Sequence, residues 1–374
     1  MKKKIAIIGA GIGGLTAANL LKNSDFEIIV YEKEKMLSLE KGYGIQLATN
    51  SVSILNKIGF RSIANNDIFN PTKLNFYSNK NKICDLDLGR FNNDLVKYTT
   101  LRRFTLIEFL KDKLFTNNFR FGKEVKKVSK IKDKLLINFF DNTNDLVDFI
   151  IVSDGVFSKT KSVIENKTIK PRYNGSIAIR SVIKLPENFD YESKNISLMM
   201  FPNAHLVIYP INKKNDFNLV CISREKLSQN YDIHSIIKKK ILSKNRNLEN
   251  LFKSDLNFWP VYVTKKPIKS IYENVFYLGD AFYTFVPALA QGASQSIEAA
   301  YELYNLLNEN KKNMQDLYFK KRLKKIKQIS RRSKFNYFGF HISNPILENI
   351  RNFFLKRLVK NKSFIKSYLG QIYK

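Results

Sequence analysis

The hydrophobic and polar positions near the start of the chain change their spacing twice between residues 5 and 31. Apolar residues run unbroken over 5–8, recur at helical spacing over 15–21, and form a second β-rich run over 26–31. Short apolar runs are typical of buried strands, whereas spacings of three and four residues are typical of a helix packed on a core. The pattern therefore predicts a strand, a helix and a second strand.

The turn between the first strand and the helix is rich in glycine. Gly9 permits the turn, Gly11 lets the backbone approach a pyrophosphate, and Gly14 lets the helix pack closely on the strand. The helix then presents its unpaired N–H groups to the phosphates. Glu32 ends the second strand and is placed to accept hydrogen bonds from a ribose diol. The unit predicts a dinucleotide site, and the acid favours FAD or NAD over NADP.

Later segments indicate how the rest of the chain is organised. Apolar runs that end in Asp154-Gly155 and in Gly279-Asp280 predict strands that return to the nucleotide-binding sheet, and 175–259 is rich in strand patterns. We therefore expect an α/β fold in which a Rossmann-type domain is interleaved with a strand-rich substrate domain and followed by C-terminal helices. The expected bounds are 1–170 and 270–320 for the nucleotide-binding domain, with inserted strands around 70–100, 171–269 for the substrate domain, and 321–374 for basic helices.

Charge is the unusual feature of the composition. The 374 residues include 64 Lys and Arg against 33 Asp and Glu, a formal net charge of +31. Such an excess suits an anionic partner, such as nucleic acid or a membrane surface. Lysines scattered over solvated faces produce the same total, and their distribution favours this second interpretation for most of the chain. No nucleic-acid-binding signature accompanies the charge, so no nucleic-acid partner is expected.

Cysteine usage and hydropathy indicate the compartment. Cys84 and Cys221 form no CxxC motif, so neither a zinc site nor a redox-active dithiol is expected. No apolar stretch reaches the length that spans a bilayer. The apolar run after Met1 contains the glycine turn and is interpreted as mature protein rather than a signal peptide. The expected location is the cytoplasm, with peripheral contact to the inner face of the membrane as an open alternative.

Several segments, in this order, resemble the FAD-dependent class A monooxygenases, the group that includes p-hydroxybenzoate hydroxylase. The branch of salicylate hydroxylase and 6-hydroxynicotinate 3-monooxygenase is the most similar. The resemblance covers residues 1 to about 310. The matching residues are Gly9, Gly11, Gly14, Glu32, Gly44, Ile45, Asn50, Arg103, Leu106, Asp154, Gly155, Ser158, His205, Tyr209, Pro210, Gly279, Asp280, Pro287, Gln291 and Gly292.

The resemblance implies FAD as the cofactor and gives roles to individual residues. Glu32 would bind the adenosine ribose, Arg103 the pyrophosphate or ribityl region, and Asp280 a ribityl hydroxyl. Asp154 and Gly155 would lie near the cofactor and near the transient pyridine nucleotide. The other cofactor-binding positions implied are Gly9, Gly11, Gly14, Gly279, Gln291, Gly292 and Ala293.

The resemblance also implies a reaction in two halves. NADH or NADPH reduces the flavin, and a flavin C4a-hydroperoxide then transfers one oxygen atom to a small aromatic or heteroaromatic ring. Pro287 and the turn to Gly292 would lie against the isoalloxazine, where N–H groups stabilise its anion. A phenolate reacts faster than a phenol, so a base is expected. His205 is the candidate, with Tyr209 on the same strand face to orient it.

Four positions depart from the family pattern. Tyr283 stands in place of the usual histidine, and Ala299 in place of an acid. Ser153 replaces Gly or Ala, and Lys161 stands where arginine is common. None of the four changes removes a residue expected to hold the flavin.

Two other functions are weighed beside small-ring hydroxylation. The first is a related hydroxylase of a prenylated or quinone-precursor ring at a membrane surface, which the basic amphipathic segments at 320–332 and 349–360 would suit. The competing interpretation of these segments is a helix pair packed on the nucleotide-binding domain. The second is a non-catalytic protein that keeps the flavin fold for binding. For the enzyme, the expected partners are the aromatic substrate and oxygen, and the expected assembly is a monomer or a homodimer.

Overall fold

The computed structural model of the protein describes residues 2–37, 42–185, 191–309 and 311–373. Within these ranges the chain forms eighteen strands and ten α-helices. The strands are β1 (Lys3–Ile8), β2 (Phe26–Glu32), β3 (Gly44–Leu47), β4 (Ile68–Phe69), β5 (Lys73–Ser78), β6 (Asn81–Asp87), β7 (Thr99–Arg102), β8 (Phe119–Phe121), β9 (Val125–Ile131), β10 (Lys134–Phe139), β11 (Asn144–Val147), β12 (Phe149–Val152), β13 (Arg172–Ile183), β14 (Ile196–Phe201), β15 (Ala204–Pro210), β16 (Phe217–Arg224), β17 (Asn257–Val263) and β18 (Val275–Tyr277). The helices are α1 (Ile12–Leu21), α2 (Thr49–Asn56), α3 (Arg103–Asp112), α4 (Lys159–Ile164), α5 (Ile233–Ile237), α6 (Gly292–Asn308), α7 (Met314–Phe340), α8 (Pro345–Leu358), α9 (Lys362–Ile365) and α10 (Gln371–Tyr373).

A five-stranded parallel sheet forms the centre of the nucleotide-binding half, in the order β18-β12-β1-β2-β8. β1 and β2 pair from Lys3 with Phe26 to Ile8 with Tyr31, and α1 connects them. The chain leaves this sheet and returns to it at β12 and at β18, whose residues are all buried. The Rossmann-type sheet predicted from the apolar spacing is therefore confirmed.

Both faces of the parallel sheet are covered. On one face, α1, α2, α3 and α6 contribute apolar side chains to a shared core with Ile5, Ile7 and Ile151. On the other face, residues of the antiparallel sheet β11-β10-β9 pack against Ile8 and Ile150. Burial on both faces explains why the strands read as unbroken apolar runs rather than alternating ones.

The second large sheet has seven strands in the order β17-β13-β16-β15-β14-β5-β6. β5 and β6 fall within 70–100, where the sequence predicted strands inserted in the nucleotide-binding domain. They extend the substrate sheet instead, because β5 pairs in parallel with β14, from Leu74 with Ile196 to Ser78 with Met200. One face of this sheet packs against α5 and the segment 246–252, and the other faces the nucleotide-binding half and the C-terminal helices.

The C-terminal helices divide into two kinds. α7 is one continuous helix across the expected boundary at 320/321, and it packs on the nucleotide-binding half through Tyr318 and Ile326. Arg322 and Arg332 of this helix are buried. α8, by contrast, has no buried residue. The first basic segment therefore packs on the nucleotide-binding half, whereas the second packs only in part, through residues such as Leu355 and Val359.

Candidate active site

Two helices begin with uncapped N-termini at the carboxyl side of the parallel sheet. α1 follows Gly11, and α6 follows Gln291; within the described ranges, neither N-cap residue caps its helix with a side-chain hydrogen bond. The first N–H groups of a helix carry partial positive charge and need an acceptor. Both helix ends are therefore positions where an anionic group binds favourably.

The three glycines of the first turn differ in their surroundings. A Cβ atom on Gly14 would lie 2.1 Å from the Gly9 carbonyl oxygen, and one on Gly9 would lie 2.8 Å from the Ser153 carbonyl oxygen. Gly9 also has φ +102°, a backbone conformation that favours glycine. A Cβ on Gly11, in contrast, would meet nothing within 4 Å. The space above Gly11 is the room that a pyrophosphate needs.

Glu32 is held at the end of β2, beside the glycine turn. Its carboxylate accepts hydrogen bonds from the backbone N–H of Ala10 at 2.9 Å and of Glu34 at 3.1 Å. These bonds fix the side chain where the sequence places the ribose-binding acid.

Asp280 and Arg103 lie close enough together for each to affect the ionisation of the other. Both residues are exposed, yet the surrounding protein raises the pKa of the Asp280 carboxyl to about 6 by desolvation, and the charge of Arg103 partly opposes this shift. Desolvation also lowers the pKa of Arg103, and Asp280 counteracts it. Accessible side chains that are nevertheless poorly solvated are typical of the interior of a deep cleft.

Buried polar atoms without partners mark the same region. Asp154 Oδ1, Gln291 Nε2 and Arg180 Nε are all buried, and none has a hydrogen-bond partner among the described residues. Native proteins satisfy most such atoms, so an unsatisfied one indicates a missing group. Together with the two helix ends and the space above Gly11, these atoms fit an elongated cofactor with a pyrophosphate and polar ring edges, as in FAD.

The turn before α6 has an unusual backbone. Pro287 is exposed, Gln291 is buried, and Gly292 and Ala293 keep some exposure at the start of the helix. Ala290 has φ +50°, the left-handed region that non-glycine residues seldom occupy. Gly155 and Gly279 have positive φ as well. Of the implied cofactor-binding positions, Gly9, Asp154 and Gly279 thus closely follow β1, β12 and β18. Glu32 ends β2, Arg103 begins α3, and Gln291 precedes α6.

Three of the four departures from the family pattern have partners within the fold. The Ser153 hydroxyl lies 3.0 Å from the Ile8 carbonyl oxygen, and the Lys161 ammonium donates to the Ala281 carbonyl oxygen at 2.6 Å. The Tyr283 hydroxyl lies 3.1 Å from Ser330 Oγ of α7. All three side chains are therefore engaged in bonds that hold the fold together.

The seven-stranded sheet presents rows of side chains to the nucleotide-binding half. Val220 pairs with Arg180 on one side and with Val207 on the other, so these three side chains form one row. All three are partly exposed, although they lie on interior strands of the sheet. Tyr209 and His205, which lie in the neighbouring rows on either side, are buried. The open row between them is the part of this face that a flat ring can contact.

Tyr209 lies at one edge of the open row. Its phenol makes side-chain hydrogen bonds with Gln46 and Asn218, and burial raises its pKa well above the usual value. Gln46 also accepts a hydrogen bond from the Tyr98 hydroxyl at 2.7 Å, and Asn218 accepts one from the Gly44 backbone N–H at 2.7 Å. Tyr209 therefore connects the substrate sheet to β3 of the nucleotide-binding half.

His205 lies at the other edge and is paired with a second histidine. Its Nδ1 atom is 2.7 Å from Nε2 of His341, which follows the C-terminus of α7. Its ring also packs edge-on against Phe340, at 5.3 Å between centroids. Burial lowers the pKa of His205 to about 3, so the imidazole is neutral at physiological pH. His205 and Tyr209 share one face of β15, as their spacing predicts.

Solved structures of related proteins show the same fold. Klebsiella pneumoniae HpxO complexed with FAD and uric acid superposes with a TM-score of 0.87 at 18% identity, covering 99% of this chain and 96% of that one. A salicylate hydroxylase substrate complex gives a TM-score of 0.79 at 17% identity, covering 99% and 95%. These identities establish the fold alone.

Sequence comparison finds aromatic hydroxylases among the proteins similar to this chain. Residues 7–40 match the model of a NAD(P)-binding Rossmann-like domain. Over 361 residues the chain is 26% identical to 3-amino-4-hydroxybenzoate 2-monooxygenase of Streptomyces cremeus, covering 91% of this chain and 88% of that protein. A stretch of 190 residues is 30% identical to 6-hydroxynicotinate 3-monooxygenase of Pseudomonas fluorescens, covering 49% and 48%. The chain is similar, over nearly its whole length, to FAD-dependent aromatic hydroxylases.

The protein is a flavin-dependent aromatic monooxygenase, and we refer to it below as the hydroxylase. The comparisons favour neither a hydroxylase of prenylated rings at a membrane surface nor a non-catalytic binding protein. The resemblance inferred from the ordered motifs is confirmed. In the described ranges, no helix of the hydroxylase combines the length and apolar character needed to cross a membrane.

Sequence reasoning missed several side chains of the open row and of the hydrogen-bonded residues beside it. Arg180 is the most important, and a signal for it was present, because it is the one charged residue in the apolar strand Ser-Ile-Ala-Ile-Arg-Ser-Val-Ile. Gln46 follows Gly44 and Ile45, two of the residues that carry the family resemblance, but the sequence assigned it no role. Tyr98, Asn218 and His341 carried no such signal.

Proposed function

We propose that the hydroxylase binds FAD and uses NADH or NADPH with oxygen to hydroxylate a small aromatic or heteroaromatic acid in the cytoplasm. The observation that carries the substrate class is Arg180, a cation whose buried Nε has no partner in the described chain and which lies in the open row of the sheet face. The relatives point the same way, because 3-amino-4-hydroxybenzoate and 6-hydroxynicotinate, named for two of them, are both aromatic carboxylates.

The cofactor would lie along the carboxyl edge of the parallel sheet. Gly11 and the N-terminus of α1 would bind the pyrophosphate, Glu32 the adenosine ribose, and Asp280 with Arg103 the ribityl region. The N-terminus of α6 would stabilise negative charge on the isoalloxazine, beside Pro287. Bound FAD supplies the redox and oxygen-transfer chemistry, while the protein orients the ring and excludes water.

Asp154 and Gly155 are proposed to serve the same region. The free Oδ1 of Asp154 is available to accept a hydrogen bond from the cofactor or from the transient pyridine nucleotide, because only Oδ2 is engaged, by the Thr160 backbone N–H at 3.3 Å. The left-handed φ of Gly155, +89°, turns the chain away from this position, and a Cβ there would meet nothing within 4 Å.

The substrate ring is proposed to lie over Val207 and Val220, with its carboxylate on Arg180. Charge-assisted hydrogen bonds from a guanidinium to a carboxylate are among the stronger polar interactions in proteins. Tyr43 and Tyr209 lie within electrostatic reach of Arg180, and Arg103 adds a second positive charge to the cleft. This environment favours an anionic ring over a neutral one.

Replacing Arg180 with glutamine is expected to raise the KM for an aromatic acid about 100-fold while leaving FAD content unchanged, because one charge-assisted contact is lost. The measurement is NADH oxidation stimulated by hydroxybenzoates and by the corresponding hydroxybenzamides, which lack the charge. Arg172→Gln, on the exposed first residue of the same strand, is the matched control and should behave as the wild type. Equal loss for acids and amides would rule out the anion-binding role.

Tyr209 and His205 are proposed to act on the substrate's ring hydroxyl from the two edges of the row. Tyr209 is protonated and can donate or accept a hydrogen bond there, through its link to Gln46. His205 is neutral and paired with His341, so it can relay a proton through its two ring nitrogens. In this proposal Tyr209 makes the hydrogen bond to the substrate, and His205 passes the proton on to His341.

Replacing His205 with glutamine is expected to lower hydroxylation about 100-fold, because the proton path is interrupted, with little change in FAD affinity. Single-turnover hydroxylation and FAD titration separate the two effects. The control is His234→Gln, which changes the remaining histidine of the chain; His234 is exposed on α5. Unchanged product formation in His205→Gln would remove His205 from the mechanism. An equal loss of FAD binding would mean that the residue is needed only for the fold.

A further inference from the structure

α8 is an amphipathic helix that packs in the inverse of the usual orientation. Its polar side faces the protein: Glu348 accepts a hydrogen bond from Ser78 at the end of β5, and Arg351 donates to the Gly339 carbonyl oxygen at 3.1 Å and to Ser78 Oγ at 3.1 Å. Surface helices normally bury their apolar stripe and expose their polar one. Leu355 packs against the core beside the sheet, whereas the other large apolar residues before it in α8 are exposed.

The exposed side carries five large apolar residues in two adjoining helical stripes. We call them the α8 stripe. Ile346 is 70% exposed, Phe353 49% and Phe354 55%, and Leu347 and Ile350 are exposed to a similar extent. From its first to its last residue the stripe is about 12 Å long, so it can lie along a surface but cannot cross a bilayer. Contiguous exposed apolar residues of this kind mark an interaction site.

The charged residues around the α8 stripe indicate which kind of partner would fit it. Residues 331–374 contain ten Lys and Arg and one acidic residue, Glu348, which faces the sheet. Lys356 and Arg357 end α8, and the Arg357 guanidinium lies 3.9 Å from the centre of the Phe353 ring. A second copy of the chain would bring two such basic surfaces together, which is unfavourable. An anionic surface that also accepts apolar side chains is complementary.

We propose that α8 docks the protein onto an anionic lipid bilayer, with the α8 stripe inserted at the level of the headgroups and the basic residues on the lipid phosphates. Helices with an aromatic apolar face and a basic rim bind membranes in this orientation. Two more exposed rings, Phe335 and Phe338, occur in the last turns of α7. This docking is independent of the ring that the active site hydroxylates.

The test is sedimentation of the full-length protein with vesicles at physiological salt. One set contains one-third phosphatidylglycerol in phosphatidylcholine, and the other is pure phosphatidylcholine. The wild type is expected to pellet with the anionic vesicles and to bind the neutral ones about tenfold less. The double variant Phe353→Ser with Phe354→Ser should bind the anionic vesicles at least about tenfold less than the wild type.

Matched variants separate this surface from general effects. Phe115→Ser changes a phenylalanine outside α8 that is 75% exposed, and this variant should bind anionic vesicles as the wild type does. Ile346→Ser with Ile350→Ser removes the stripe at different positions and should reproduce the loss. The FAD content of each variant reports that it is folded.

Three results would overturn the proposal. The wild type could remain in the supernatant with anionic vesicles, or both stripe variants could pellet as the wild type does. The third is a wild-type homodimer in sedimentation equilibrium that becomes a monomer in the Phe353→Ser, Phe354→Ser variant. In that case the stripe is an interface between two copies of the chain.

Discussion

Replacing Gly11 with alanine is expected to weaken FAD binding at least about tenfold while leaving the stability of the apoprotein unchanged. A Cβ at this position meets no atom of the protein within 4 Å, and the backbone φ is −81°, which alanine adopts without strain. The methyl group would instead occupy the space proposed for the pyrophosphate. The substitution is therefore expected to destabilise only the FAD-bound protein and not the apoprotein.

Gly14→Ala is the contrasting change in the same turn. Its Cβ would lie 2.1 Å from the Gly9 carbonyl oxygen and 2.5 Å from Ser153 Oγ, so the backbone of α1 must move away from β1. We expect a loss of about 3 kcal/mol or more in the free energy of unfolding, because overpacking against backbone is poorly relieved. Urea unfolding of both apoproteins and fluorescence titration with FAD distinguish the two outcomes. Wild-type FAD affinity in Gly11→Ala would show that the pyrophosphate does not lie over Gly11.

Replacing Arg322 with methionine is expected to lower the free energy of unfolding by about 3 kcal/mol, because it removes the buried cation between two carboxylates and leaves Glu298 with Lys325 and Glu302 with the exposed Lys321. Arg322 is only 2% exposed. Its guanidinium lies 3.3 Å from Glu298, 3.2 Å from Glu302 and 2.8 Å from the Gln295 side-chain oxygen. These bonds join α7 to α6, the helix whose N-terminus faces the cofactor site.

The neighbouring residue Lys321 provides a matched control. It also pairs with Glu302, at 3.8 Å, but its side chain is exposed, so Lys321→Met should cost less than about 1 kcal/mol. Adding Glu298→Gln and Glu302→Gln to Arg322→Met should recover part of the stability, because the two carboxylate charges that Arg322 balanced are then removed as well. Urea unfolding of the apoproteins measures all three variants. Equal losses for Arg322→Met and Lys321→Met would contradict the buried network.

The cofactor half of the site could be predicted from sequence because its geometry is local. The strand, turn and helix around Gly9, Gly11 and Gly14 are determined by residues that are close in the chain, and Glu32 ends the next strand. The turns at Asp154 and Gly279 follow buried strands that could be recognised from their apolar runs. Each of these features needs only short-range rules of turn and strand formation.

The substrate half could not be predicted in the same way, because it depends on pairing between distant strands. Arg180 reaches the open row only because β13 pairs with β16 and β16 with β15. A shift of one residue in either register would turn its side chain to the other face. The partner of His205 is 136 residues away, and His341 is placed by the end of α7.

Net charge gave an incomplete picture of the C-terminal segment. The sequence showed two basic amphipathic segments and could not tell which apolar side is covered. Arg322 and Arg332 of α7 are buried, whereas the Phe353 and Phe354 side of α8 is exposed. Amphipathicity shows that a helix has an apolar side, and only tertiary packing determines what that side contacts.

The visible absorption spectrum of the purified protein, recorded before and after anaerobic addition of NADH or NADPH, tests the central claim most directly. We expect the two absorption bands of a bound flavin, bleached by the reductant and bleached faster when a hydroxybenzoate is present. A colourless protein that cannot be reconstituted with FAD would contradict the account, because the uncapped helix ends and the unpartnered polar atoms would then serve a different ligand.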